Sequence, residues 1–141
     1  MARTNSCPLL SETLLRLGRP SDLERTSVEG LYDQVGWPSG TAIANAWRGL
    51  QESQYVSILL TDEGGLAGLA RATSDLAYNA QICDVVVLPD YQGAGYGREL
   101  IKLLICTLLE QKIENITVFA DKEAVGFYET LGFERGVNRT K

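Results

Sequence analysis

Gly93, Gly95 and Gly97 fall within five residues. They follow a β-branched run, Val85-Val-Val-Leu, and a Pro89-Asp90 turn, and they precede a stretch with helical spacing. Glycine at the head of a helix lets another molecule approach the backbone closely. The first N–H groups of a helix have no partner within it, and the helix dipole adds partial positive charge there. The chemistry this arrangement offers is anion binding, with phosphate as the usual occupant. It predicts an anionic ligand over residues 92 to 98. A turn whose glycines only pack the helix is the plain alternative. The dinucleotide fingerprint is not met, because Arg98 stands where its third glycine belongs, and the P-loop's Gly-Lys-Ser/Thr is absent. The chain has no histidine, so histidine triads and histidine metal ligands are excluded, and no metal is expected.

The elements that must hold this loop follow from periodicity. Ser27 could cap a helix in which Val28, Leu31, Tyr32 and Val35 share a stripe, ended by Gly36-Trp-Pro-Ser-Gly. A second helix runs from about Thr41, with Ile43, Ala46, Trp47 and Leu50 on one face. The period then changes to that of strands over 55 to 60 and 66 to 72, joined by a turn at 62 to 65, and over a long strand from 78 to 88. A helix is predicted from about 95 to 112, with Leu100, Ile101, Leu104, Ile105 and Leu108 at helical spacing. A strand at 116 to 120 and a short helix at 122 to 131, stopped by Gly132, complete the order. Two helices, a hairpin, a long strand and a strand-helix-strand unit indicate an α/β fold with a mixed sheet. Residues 1 to 20 read as a weakly patterned lead-in and 21 to 141 as a single domain.

The bulk properties bound the function. A chain of 141 residues, 45% hydrophobic and 22% charged, fits one globular domain. A net charge of −5 argues against nucleic acid held on a broad basic surface and mildly favours a cationic partner. No apolar run approaches the ~18 residues of a membrane span. Cys7, Cys83 and Cys106 are far apart; Cys83 and Cys106 read as small buried hydrophobes in a reduced compartment. Arg3, Arg16 and Arg19 with the single acid Glu12 are faintly like an organelle transit segment, against the simpler reading of a frayed terminus. The expected location is cytoplasmic or plastid stroma.

Two separated motifs bring a resemblance. Gln92-Gly-Ala-Gly-Tyr-Gly97 matches Gln/Arg-x-x-Gly-x-Gly/Ala, the acetyl-CoA motif of the GCN5-related N-acetyltransferases (GNAT). Ala124-Val-Gly-Phe-Tyr-Glu-Thr-Leu-Gly-Phe133 looks like that family's second signature, Ala-x-x-Phe-Tyr-x-x-x-Gly-Phe. The resemblance covers about residues 25 to 135. Leu69-Ala-Arg-Ala-Thr-Ser-Asp75 and Asn115-Ile-Thr-Val-Phe-Ala-Asp121 look like a plastid and cyanobacterial branch, whose members acetylate serotonin and other arylalkylamines, with related enzymes acting on protein lysines and N-termini. The fold implied is a mixed, mostly antiparallel central sheet flanked by helices, with a splayed strand pair holding acetyl-CoA.

What the resemblance implies for residues is specific. Backbone amides of Gln92, Gly93, Ala94, Gly95, Tyr96, Gly97 and Arg98 would bind the pyrophosphate of acetyl-CoA. The pantetheine arm would lie between strands ending near Val87 and Ala120 and bond to backbone at Val85, Val86 and Val87. Tyr128 matches the general acid that protonates the departing sulfur; a core aromatic beside Phe127 is the plain alternative. Asp121 stands where the family commonly has Asn, and would serve amine binding or proton removal. Asp84 is the other candidate base, a carboxylate interrupting an apolar strand, where burial would raise its pKa; an edge-strand charge satisfied by a turn amide is the alternative. Asn115 could position substrate or a water, or cap its strand. Asp75 and Glu63 are weaker candidates. Tyr32, Trp37 and Trp47 could stack an aromatic amine, though core packing explains them as well.

The expected acceptor is a small-molecule amine such as serotonin, or else a protein lysine or N-terminus, with an acyl-CoA-binding sensor as the non-enzyme reading. The expected state is monomer or homodimer. Only polar residues and Val137 follow Phe133 up to Lys141, so the family's last strand is expected to be short, borrowed or missing.

Overall fold

A computed structural model describes residues 15–36 and 40–136. Its strands are β1 (Leu15–Gly18), β2 (Tyr55–Leu60), β3 (Leu66–Ser74), β4 (Asn79–Val87) and β5 (Asn115–Val118). Its helices are α1 (Arg25–Gln34), α2 (Gly40–Gln51), α3 (Tyr96–Glu110) and α4 (Val125–Thr130), with short 3-10 turns at Pro20–Asp22, Pro89–Tyr91 and Lys122–Ala124. The sheet order is β1-β2-β3-β4-β5, antiparallel as far as β4; β5 is parallel to β4 because α3 carries the chain back between them. The fold is thus the mixed, mostly antiparallel sheet that the family resemblance implied.

Each face of the sheet is covered by helix. On one side Leu100, Ile101, Leu104 and Leu108 of α3 pack on Ala67, Ala70, Ala72 and Ile82. The small alanines of β3 leave room for the large side chains of α3, as close packing requires. Ser57 is fully buried in this layer and donates its hydroxyl to the Leu100 carbonyl at 2.9 Å, which satisfies it. On the other side Val28, Leu31 and Tyr32 of α1 and Ala46 and Leu50 of α2 pack on Val56, Ile58, Leu69 and Val86.

Two features of β4 shape everything that follows. Its pairing with β5 runs from Asn79↔Asn115 to Ile82↔Val118 and stops, although β4 continues to Val87. Beyond Ile82 the two strands have separated. At the same place the β3–β4 register shifts from Ala72↔Ile82 to Arg71↔Asp84, leaving Cys83 as an extra residue. Such a bulge bends a strand and increases its twist, so the separation begins where the bulge is.

Three expectations are corrected. Leu15–Gly18 lies in the stretch read as a lead-in, yet it pairs with β2 and buries Leu15; four residues with two arginine-flanked apolar positions give too little alternation to recognise. The helix expected over 122 to 131 is a 3-10 turn followed by α4. Cys83 and Cys106 are half-buried rather than core residues, because Cys83 is the bulged position and Cys106 lies off the buried stripe of α3. Among the described residues no helix is long and apolar enough to cross a membrane.

Candidate active site

The glycine loop lies at the end of β4 and leads into α3. Gly93 and Gly95 have φ of 84° and 90°, and Gly95 is the N-cap of α3. A side-chain-bearing residue in that left-handed region costs about 1–2 kcal/mol, which is why the sequence places glycine there. The Glu99 amide closes the first helical bond onto the Gly95 carbonyl at 3.1 Å, so the amides of Tyr96, Gly97 and Arg98 are first-turn donors without helical partners. Gln92 pins the loop to β4 by donating its side-chain amide to the Val87 carbonyl at 2.8 Å.

A cleft of about 480 Å³ runs from this loop along the free edge of β4. It is lined by Val85, Val87, Tyr91, Gln92, Gly93, Gly95, Tyr96, Gly97, Arg98 and Phe127. Val86 faces the other side of the sheet and is buried there, so any part it takes in the cleft is through its backbone. Ala94 is exposed and does not line the cleft. Arg98 donates to the Thr130 hydroxyl at 3.1 Å, and that hydroxyl donates to the Phe127 carbonyl at 2.6 Å. The head of α3 is therefore tied to the end of α4, a link no sequence pattern announced. These features suit a nucleotide-bearing thioester such as acetyl-CoA. First-turn amides and two left-handed glycines form a concave, donor-rich turn of the kind that receives anions, and β4 residues 83 to 87, unpaired toward β5, offer free backbone to an extended ligand.

Below the cleft lies a polar cluster on the opposite face. Asp84 Oδ2 accepts from Arg71 Nε at 2.7 Å and from the Tyr32 hydroxyl at 3.0 Å. Arg71 Nη1 donates onward to the Gly49 carbonyl at 3.3 Å and the Ser53 hydroxyl at 3.1 Å. The expected picture of Asp84, a lone buried carboxylate or an edge-strand charge held by a turn amide, is replaced by an ion pair within the sheet. Burial works against the charge of Arg71, yet the hydrogen bond and charge of Asp84 hold its pKa above the ordinary value. Burial, then the charge and hydrogen bond of Asp84, push the Tyr32 hydroxyl far above its ordinary value. Tyr32 is fully buried and so is not a platform for an aromatic amine; Trp47 is half-buried and packs on the same layer. Trp37 lies outside the described residues. Arg71 was not singled out from sequence, although a lone cation inside Leu69-Ala-Arg-Ala was a visible signal.

Tyr128 sits on α4 with its ring edge-on to Phe127 (5.2 Å) and Phe133 (5.7 Å). Phe127 turns toward the glycine cleft, while Tyr128 is half-buried against the α3 layer and lines a second cavity of about 300 Å³ with Val118, Ala120 and Glu134 among its walls. Its hydroxyl pKa is raised, by burial first and then by the charges of Asp121 and Asp84. Both carboxylates thus act on the Tyr128 hydroxyl, Asp121 more strongly than Asp84. Asp121 is exposed, and its carbonyl accepts from the Ala124 amide at 2.8 Å in the turn that leads to α4.

The remaining candidates lie elsewhere. Asn115 begins β5 at the end away from the glycine loop and hydrogen-bonds Asn79. Asp75 Oδ1 accepts three backbone amides, of Ala77, Tyr78 and Asn79, which close the β3–β4 turn and lower its pKa. Glu63 is exposed in the β2–β3 turn. Among the described residues no group of three His, Cys, Asp or Glu side chains could hold a metal ion.

Comparison with known proteins agrees with this geometry. The acetyltransferase (GNAT) domain family matches residues 29–141. Histone acetyltransferase TAP1 of Glycine max is 45% identical over 123 residues, which are 80% of this chain and 53% of that protein. Uncharacterized N-acetyltransferase ycf52 of Pyropia yezoensis is 35% identical across 91% of this chain and 75% of its own. Serotonin N-acetyltransferase 2, chloroplastic, of rice (Oryza sativa subsp. japonica) is 32% identical over 88% of this chain and 54% of its own. The chain spans about half the length of the first curated relatives it matches. Among solved structures, a GNAT family acetyltransferase from Streptococcus pneumoniae superposes with a TM-score of 0.68 at 24% identity, covering 91% of this chain and 98% of that one; this likeness is one of fold. By family match, relatives and architecture together, this chain belongs to the GNAT family of N-acetyltransferases.

Proposed function

We propose that this chain transfers an acetyl group from acetyl-CoA to a primary amine by direct attack, with both reactants held across the gap between β4 and β5. The observation that carries the reading is the cleft joining the glycine cradle to the unpaired edge of β4. Acetyl-CoA supplies the activated thioester. The chain's part is to align it: amides of Gly93 to Arg98 hold the pyrophosphate, and backbone at Val85 to Val87 holds the arm. Fixing two reactants in line lowers the barrier by up to about 7–11 kcal/mol in well-oriented systems. Tyr128 keeps its proton through burial and two nearby carboxylates, which suits donation to a leaving thiolate. Asp121, exposed beside it, binds the ammonium form of the amine or takes its proton. Asp84, with its Oδ2 already accepting from Arg71 and Tyr32, places charge rather than acting as a free base.

For the acceptor, we favour a protein lysine or N-terminus. Of the aromatic side chains offered for an arylalkylamine, Tyr32 is buried in the core. The cavity beside Tyr128 carries Glu134 and Glu129, the latter paired with Arg135 at 2.9 Å, so Glu134 is its open carboxylate toward a cationic chain. The relative named a histone acetyltransferase is also the more similar one, 45% against 32% for the serotonin enzyme. The serotonin reading stands second on the name of the rice relative, and chloroplastic names among the relatives favour a plastid or cyanobacterial setting. Thiol release from acetyl-CoA, compared for a lysine peptide, serotonin, tryptamine and a polyamine, tests both. Turnover with the peptide alone supports the first, and turnover with aromatic amines alone replaces it by the second. Acetyl-CoA binding without turnover on any amine would mean an acyl-CoA sensor instead.

A further inference from the structure

We propose that Arg71 is a positioning residue for this acetyl transfer, clamping Asp84 at the mouth of the β4–β5 gap. The proposal rests on the acetyltransferase reading above.

Arg71 and Asp84 face one another directly across the β3–β4 ladder, at the step where the bulge falls. Their side chains are 16% and 12% exposed, so water screens the pair little and the contact holds one geometry. The guanidinium is itself held. Nη1 reaches Gly49 and Ser53 at the end of α2, and a Cβ on Gly49 would lie 3.2 Å from Nη2. A side chain at 49 would crowd the planar group where it lies against the helix. Tyr32 approaches the same carboxylate oxygen from α1. α1 and β3 thus bond one carboxylate of β4 next to the point where the strands part, and the end of α2 holds the guanidinium that clamps it. Arg71 offers a fork of fixed shape, which lysine, a point charge on a flexible stem, cannot reproduce. Its role is to fix where the Asp84 charge sits at the step where β4 parts from β5.

The test uses the full chain with Arg71→Met, Arg71→Lys, Asp84→Asn and the Arg71→Met/Asp84→Asn double variant. Thiol release gives kcat and acetyl-CoA KM, titration calorimetry gives acetyl-CoA Kd, and melting gives Tm. Arg71→Met should cut kcat by tens of fold, up to about 100-fold, with acetyl-CoA Kd little changed because the glycine loop is untouched. Arg71→Lys should recover Tm but not kcat. The double variant should be no slower than Asp84→Asn alone to within about twofold, since residues acting as a unit are not additive. Should Arg71→Met fail to fold, Arg71→Lys and the double variant, which leaves no unpaired charge, decide the matter. Loss of kcat only in proportion to the folded fraction, full rescue by lysine, or additive losses would overturn the proposal. An inactive wild type overturns the acetyltransferase reading and this proposal together. An active wild type indifferent to Arg71→Lys overturns this proposal alone.

Discussion

Ile82 and Asp84 stand two residues apart on β4 yet face opposite sides of the sheet. Ile82 packs into the α3 layer, while Asp84 bonds Tyr32 and Arg71 on the α1/α2 side. In a regular strand, residues i and i+2 share a face. The bulge at Cys83 absorbs one residue and reverses the parity. The same irregularity puts the Asp84 charge on the α1/α2 face and starts the separation from β5 along which the cofactor arm is proposed to lie.

Deleting Cys83 should therefore separate these two effects. Without it, Ile82 and Asp84 become neighbours in a regular ladder, so Asp84 still meets Arg71 and both cores stay filled. The local bend and extra twist are lost, and β4 lies closer to β5. We expect a folded protein whose acetyl-CoA Kd rises by about tenfold or more, roughly the 1.4 kcal/mol that one decade represents. Circular dichroism and titration calorimetry check this, with Cys83→Ala as a control that keeps the bulge. An unchanged Kd in the deletion variant would show that the bulge does not shape the gap.

Tyr32→Phe should cost about 1.5–3 kcal/mol at neutral pH, the range for a hydrogen bond to a charged group, because the ring still fills its place. The pH dependence gives a sharper check. The pKa of Tyr32 is raised in the folded state above its unfolded value of 10.0, so the folded protein holds this proton more tightly. The stability from the neutral hydroxyl is complete below pH 10 and drains as pH rises beyond it, by about 1.4 kcal/mol per unit. The advantage of the wild type over Tyr32→Phe in urea unfolding should shrink by that slope above pH 10. Parallel curves for the two proteins would remove Tyr32 from the linkage.

How much of this was legible in the sequence divides along physical lines. The glycine loop was, because left-handed backbone and close approach have a residue type of their own, and Gly93 and Gly95 show it. The α3 stripe was, because Leu100, Ile101, Leu104 and Leu108 repeat at the helical period and are all buried. Tyr32 was legible both ways. Its place four residues after Val28 put it on the buried face, and its aromatic character invited a binding role; the periodicity was the better guide. Asp84's partner was not legible. It lies 13 residues away across a bulge, and a one-residue slip in register changes which side chains share a face. β1 was missed because its four residues gain their order from pairing with β2, which is distant in sequence.

Gly95→Ala and Gly97→Ala should fail in different ways. At Gly95 a Cβ meets nothing within 4 Å, so the cost is the backbone conformation alone, φ 90°, and stability should fall by about 1–2 kcal/mol. At Gly97, inside the first turn of α3, a Cβ lies 3.8 Å from Val85 and 3.9 Å from Val87, ordinary contact. Alanine there should stabilise by up to about 0.5–1 kcal/mol while intruding on the cleft those residues line. We expect Gly97→Ala to melt at or above the wild type and to bind acetyl-CoA more weakly. Tighter or unchanged binding would move the ligand away from this turn.

Tyr128→Phe tests the proposed acid. The ring keeps its edge contacts with Phe127 and Phe133, so packing should survive and Tm should change little. The glycine cleft is lined by Phe127 rather than Tyr128, so acetyl-CoA Kd should stay within about twofold. The loss should appear in kcat, on the order of the 10²-fold or more that a positioned general acid contributes. Asp121→Asn removes one of the charges that keep the hydroxyl protonated, after burial the next largest cause, so the Tyr128 pKa should move down and the high-pH limb of kcat with it. Equal losses in kcat and acetyl-CoA affinity for Tyr128→Phe would assign this side chain to binding. A high-pH limb unmoved by Asp121→Asn would show that the limb belongs to another group.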